Sequence, residues 1–136
     1  MPRALGIVLV LTVALVAAGC GVRTTKPFTA QGSVGCLKSH GFTEVTTNPG
    51  RVGFIAGFAD NGGIRARSAT GNVLTIAFTA DSNSTSSTED AFRAHAPKRL
   101  RPHISDIMQT NRNAVLVWTT TPDPGELAAA TGCLQP

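Results

Sequence analysis

Tyrosine is missing from this 136-residue chain, tryptophan occurs once, at Trp118, and acidic residues are scarce, eight against twelve lysines and arginines. A core must therefore be assembled from Val, Ile, Leu, Ala and the six phenylalanines. Several catalytic signatures are missing as well. There is no Gly-x-Ser-x-Gly elbow, His40, His95 and His103 fall in no metal-ligand spacing, and no pair of carboxylates sits in a recognisable setting. No metal or cofactor is implied. These absences point to a non-catalytic binding or structural module, with a small secreted or surface hydrolase built from scattered residues as the alternative.

What is present begins with an apolar run. Residues Ala4 to Ala18 carry no charge and one polar side chain, Thr12; they follow Arg3 and lead into the small residues Gly19 and Cys20. At roughly fifteen residues the run falls short of the ~20 that a helix needs to cross the hydrocarbon core, and it has the make-up of a signal segment.

Ala17-Ala18-Gly19-Cys20 resembles the lipobox of bacterial lipoproteins, a resemblance confined to the first twenty residues. It implies a signal peptide over 1–19 and a diacylglyceryl group on Cys20, which becomes the first mature residue. The protein would then sit on the outer face of the bacterial cytoplasmic membrane, held there by two or three acyl chains at ~0.8 kcal/mol per buried methylene. The alternative is an ordinary secretory leader cut after Ala18 or Gly19, which leaves Cys20 as a thiol. In its Ala, Val, Gly, Thr and Arg usage the chain is also similar to small envelope lipoproteins of high-GC Gram-positive bacteria, a likeness that supplies no function.

With Cys20 lipidated, Cys36 and Cys133 remain as a pair in an oxidising compartment, where disulfides persist. A bond between them would close a loop of nearly a hundred residues, worth about 4 to 5 kcal/mol in the chain-entropy model. A nucleophilic Cys36 assisted by His40, four residues on, is the competing reading. The formal charge of +4 favours anionic partners, namely anionic lipid, wall polymer or an acidic envelope protein. It is too small and too dispersed for nucleic acid.

The 117 residues from Cys20 onward suffice for one domain. Residues 20–35 lack any helical or strand period and read as a lipidated cysteine followed by a flexible tether, with Arg23 and Lys26 near the head groups. Residues 36–136 read as a single α+β domain. A helical turn stops at Gly41, a strand runs over 42–47, and Asn48-Pro49 opens a helix to about Asp60. Strands follow over 64–68 and 73–79, the second with Leu74, Ile76 and Phe78 as its face to bury. Ser86 and Glu89 fit a capping box for a helix that ends by Pro97. A hairpin over 104–109 and 114–119 and a final helix over 125–131 complete the chain. Strand, helix, strand, strand, helix, strand is the ferredoxin-like element order, here with an extra strand and a C-terminal helix; it implies one antiparallel sheet with helices mainly on one face. Arg93, Lys98, Arg99 and Arg101 form the one clear concentration of charge and are the candidate anion-binding residues. No aromatic residue interleaves them, so base stacking is not supported.

Overall fold

The computed structural model describes residues 25–136, so the leader and Cys20 lie outside the described residues. Five strands form a single antiparallel sheet in the order β1-β2-β3-β5-β4: β1 Thr43–Thr46, β2 Gly63–Arg67, β3 Val73–Phe78, β4 Met108–Asn111 and β5 Ala114–Trp118. Six α-helical segments surround it: α1 Ala30–Ser39, α2 Pro49–Val52, α3 Phe54–Gly57, α4 Thr85–His95, α5 Ile104–Ile107 and α6 Pro124–Gly132. The fold is the α+β class expected, and the element order follows the sequence reading except that Ile104–Ile107, expected to begin a strand over 104–109, form α5, so that β4 starts only at Met108. Every pairing is antiparallel, and β1 lies directly beside β2 even though α2 and α3 intervene in the chain. β3 and β4, each antiparallel to the β5 strand between them, run parallel to one another and are linked through α4 and α5, which makes a split βαβ unit.

Side-chain alternation divides the sheet into two faces. Ile64, Ala66, Leu74, Ile76, Phe78, Ala114, Leu116 and Trp118 share one face through the registers Ile64↔Ile76↔Leu116 and Ala66↔Leu74↔Trp118. All are buried, and Leu37, Ala130, Cys133 and Leu134 join the same core, so α1 and α6 cover this face. On the other face Val52 and Ala56 pack on Ala77, while Phe92, Ile104 and Ile107 gather over Val117. Four of the six helical segments thus lie on the Ala77 face.

The disulfide Cys36–Cys133 is formed and joins α1 to the end of α6, across a sequence separation of 97. α1 starts earlier than the sequence pattern indicates. Residues 30–35, read as part of a tether, are its first turns, and the chain is fastened to the body from Lys26 onward. Thr29 caps the helix by accepting from the Gly32 amide, and the buried Ser33 donates to the Thr29 carbonyl and accepts from the Gln135 amide. Gly32 is needed because the C-terminus crosses it: a Cβ there would lie 2.1 Å from the Pro136 carbonyl oxygen. Tertiary contacts therefore make a helix of a segment whose own propensity is poor.

The expected helix over 49–60 is broken in two. Asn48 does cap it, accepting from the Gly50 amide at 2.9 Å. Gly53, at φ +107°, then ends α2 and redirects the chain into α3. Further on, the cap ahead of α4 is Asp81, which accepts from the amides of Asn83 and Ser84 and opens a 3-10 turn over Ser82–Ser84. The Ser86 and Glu89 box is not used; Glu89 instead accepts from the Thr110 hydroxyl of β4.

The approach of α2 and α3 to the sheet requires glycine at 63, where a Cβ would lie 2.2 Å from the Ala56 carbonyl oxygen and 2.9 Å from Val52. Gly63→Ala should therefore lower stability by about 1 to 3 kcal/mol through overpacking. Chemical denaturation checks this, with an unchanged m-value indicating that only stability has moved.

A candidate anion-binding cleft

Strand β2 serves both sides of the sheet. While Ile64 and Ala66 enter the core, Arg65 and Arg67 point to the opposite, wetter face, as their alternation in sequence indicates. β1 pairs with this edge through Thr43↔Arg67 and Thr46↔Arg65, and the Asn48 cap brings Arg51 of α2 over the same edge. The result is a polar cleft of about 320 Å³ lined by Glu44, Thr46, Gly50, Arg51, Arg65 and Arg67, with Ala66 and Val73.

The three guanidinium groups differ in their engagements. Arg67 places Nε 3.3 Å from the Glu44 carboxylate and donates through Nη1 to the Gly71 carbonyl at 3.1 Å, so its fork is held in place. Both partners of this ion pair are well exposed, which limits its stabilisation to a fraction of a kcal/mol, on the order of 0.5. Arg51 and Arg65 have no carboxylate partner among the described residues. Three cations against one anion leave the cleft net positive, and planar guanidinium forks match carboxylate and phosphate oxygens bidentately.

The residues singled out from the sequence as an anion-binding edge are arranged differently. Lys98 and Arg99 are exposed in the connection after α4, where the Leu100 amide donates to the Pro97 carbonyl. Arg101 turns back and donates through Nε to the Ala96 carbonyl at 3.0 Å, capping the end of α4, and Arg93 reaches the Ser105 hydroxyl at 3.5 Å. The hollow beneath this segment is apolar, lined by Phe92, Ala96, Leu100, Ile104 and Ile107 among others. These four cations do not converge on one cleft; Arg51, Arg65 and Arg67 do.

Around the disulfide, His40 Nδ1 lies 3.5 Å from the Cys36 sulfur, 3.4 Å from the Cys133 sulfur and 3.0 Å from the Cys36 carbonyl oxygen. The three side chains are within ligating distance of one another. Both sulfurs are spent in the disulfide, however, so neither a thiolate nucleophile nor a thiolate metal ligand is present. His40 also borders a shallow hollow with Ser68, Thr70, Asp123 and Glu126. There Ser68 donates directly to Glu126 rather than to an imidazole, and His40 hydrogen-bonds to neither, so the relay serine, histidine, carboxylate is not assembled.

Glu126 has a structural use. It accepts from the Ser68 and Thr70 hydroxyls and from the Asp123 amide, while the Asp123 side chain accepts from the Glu126 amide, a capping box that starts α6. Burial pushes its carboxyl pKa up, and the hydrogen bonds from Ser68, Thr70, Asp123 and Asn72 together outweigh that and hold it below the usual value. A carboxyl depressed on folding adds stability that is fully present above the unfolded-state value of about 4.3 and is lost as pH falls through the lower folded-state value. Glu126→Gln should accordingly reduce stability at neutral pH and flatten its acid dependence, as read from unfolding midpoints across the acid range.

Arg51, Arg65 and Arg67 escape a reading of the sequence because they come from two elements and converge only when β1, β2 and the α2 turn meet. The alternation of Arg65 and Arg67 is their one sequence signal. No protein-family model, no curated protein and no solved structure matches this chain.

Proposed function

We propose that this chain is a lipid-anchored lipoprotein of the bacterial cell envelope whose domain binds an anionic group without catalysis, in the cleft of Arg51, Arg65 and Arg67. The observation that carries the binding role is the pair of guanidinium groups without carboxylate partners, beside a third held fast by Glu44. The ligand class is a phosphate- or carboxylate-bearing envelope component. The lipobox-like Ala17-Ala18-Gly19-Cys20 supports the anchor, and the oxidised Cys36–Cys133 pair fits an extracytoplasmic setting. No helix of the described residues is long and apolar enough to cross a membrane.

Two outcomes are expected. Cys20→Ala should abolish lipid labelling and release the protein from the membrane fraction, and full membrane retention of the unlabelled variant would oppose the anchor. Arg51→Ala with Arg65→Ala should weaken binding to phosphate-bearing wall fragments by about tenfold or more, since each charge-assisted hydrogen bond contributes about 1.5 to 3 kcal/mol. Binding should also weaken with added salt. If Lys98→Glu with Arg99→Glu abolishes binding while the arginine pair is dispensable, the site belongs to the segment over 93–101 instead.

A further inference from the structure

Phe54 and Phe58 are the two large hydrophobic side chains left exposed among the described residues, at 82% and 75%, and their rings pack against each other at a tilt of 52° with centroids 5.3 Å apart. Phe54 opens α3 and Phe58 caps its end one turn later, while Ala56 between them packs on the sheet. A rigid, paired apolar projection of this kind needs a partner.

The path of the chain indicates which partner. Asn61, three residues after Phe58, donates through its amide to the Phe78 carbonyl and through its side chain to the Thr79 carbonyl, and its own carbonyl accepts from the Ala30 amide. Asn113 closes the same cluster: its side chain accepts from the Phe28 amide and donates to the Phe28 and Thr79 carbonyls. Phe58 is therefore within three residues, at most ~11 Å, of the end of the sheet where the N-terminal segment leaves the body, while Phe54 borders a hollow with Thr75 and His95. At that exit Arg112 lies over the Phe28 ring at 4.1 Å and donates to the Lys26 carbonyl, so the chain is fastened as far back as Lys26. Lys26 is six residues from Cys20, a span of at most ~22 Å when fully extended. A domain of about a hundred residues has a radius of gyration near ~13 Å. Such a leash is shorter than the domain is wide.

We infer that Phe54 and Phe58 insert into the interface of the bilayer that holds the lipid on Cys20, so that the domain lies against the membrane in one orientation. This inference rests on the lipid anchor proposed above. The occupant is the lipid surface itself, since an anchor this short keeps the exit end of the sheet at the head groups. Lys26 and Arg112 then face the head-group phosphates, and Asp60, two residues beyond Phe58, stays in the hydrated layer and limits insertion to the interface.

The test uses the full-length, lipidated protein purified from membranes, carrying Phe58→Trp, in phosphatidylglycerol vesicles with and without brominated acyl chains. Trp118, buried in the core, is the internal reference in the unsubstituted protein. The inference requires that the added tryptophan emit at shorter wavelength on vesicle attachment and lose emission in the brominated vesicles, while the unsubstituted protein loses little. Absence of that loss in a protein whose mass carries the diacylglyceryl group overturns the docking and spares the anchor, whether or not two copies associate through the patch. A mature mass lacking the group overturns the anchor, and the docking inference falls with it.

Discussion

The amide of Asn113 is the constraint on which the placement of everything else depends. Buried in the turn between β4 and β5, it pairs with both backbone groups of Phe28, while the Asn113 backbone carbonyl accepts from the Thr79 amide. These bonds fix the N-terminal segment across the end of the sheet. Removing the side chain would leave the Phe28 amide and carbonyl without partners, at a cost of about 1 to 3 kcal/mol for each buried group left unsatisfied. The disulfide makes a second fastening a few residues on, tying α1 to α6 and removing on the order of 4 to 5 kcal/mol of loop entropy from the unfolded chain in the entropic model. Between them they turn residues 28–39 into a fixed layer of the domain.

From that fixed end the sheet distributes its tasks by alternation. One face is aliphatic and aromatic throughout and is closed by α1 and α6. The other is shared between small residues, which let α2 and α3 approach closely at Gly63 and Ala77, and the arginines of β2, which remain in solvent at the edge nearest β1. The same strand thus holds Ile64 in the core and Arg65 in the cleft, so the guanidinium groups project from backbone held rigid on both sides. A positioned cation loses less freedom on binding than one on a loop, which is the physical reason to favour this cleft over the segment around Lys98 and Arg99.

Much of this arrangement is legible in the residues. The alternation of Leu74, Ile76 and Phe78 marks a strand with one buried face, the near-unbroken apolar run from Ala114 to Trp118 marks a central one, and two cysteines at opposite ends of the domain mark a staple. Asp123-Pro124 and Asn48-Pro49 announce helix starts because caps are local chemistry. What could not be read is whatever depends on distant partners. Gly32 and Gly35 disguise α1, since its stability comes from the C-terminus lying against Gly32 and Ser33. The period through Val52, Ile55, Ala56 and Ala59 hides the break at Gly53, whose positive φ is invisible to a hydrophobic pattern. Proximity in sequence drew attention to Arg93, Lys98, Arg99 and Arg101, whereas Arg51 joins Arg65 and Arg67 from fourteen positions before Arg65.

The claim that the N-terminal segment is bolted to the body right up to its exit has a direct measurement, native-state amide hydrogen exchange at Phe28, Thr29 and Ala30. Their amides donate to the Asn113 side chain, the Gln135 carbonyl and the Asn61 carbonyl respectively. The account predicts exchange slowed to the level of the β3 and β5 amides. Exchange at these three positions as fast as in an unstructured peptide would mean that the segment is a free tether, and the proposed orientation at the membrane would be lost with it.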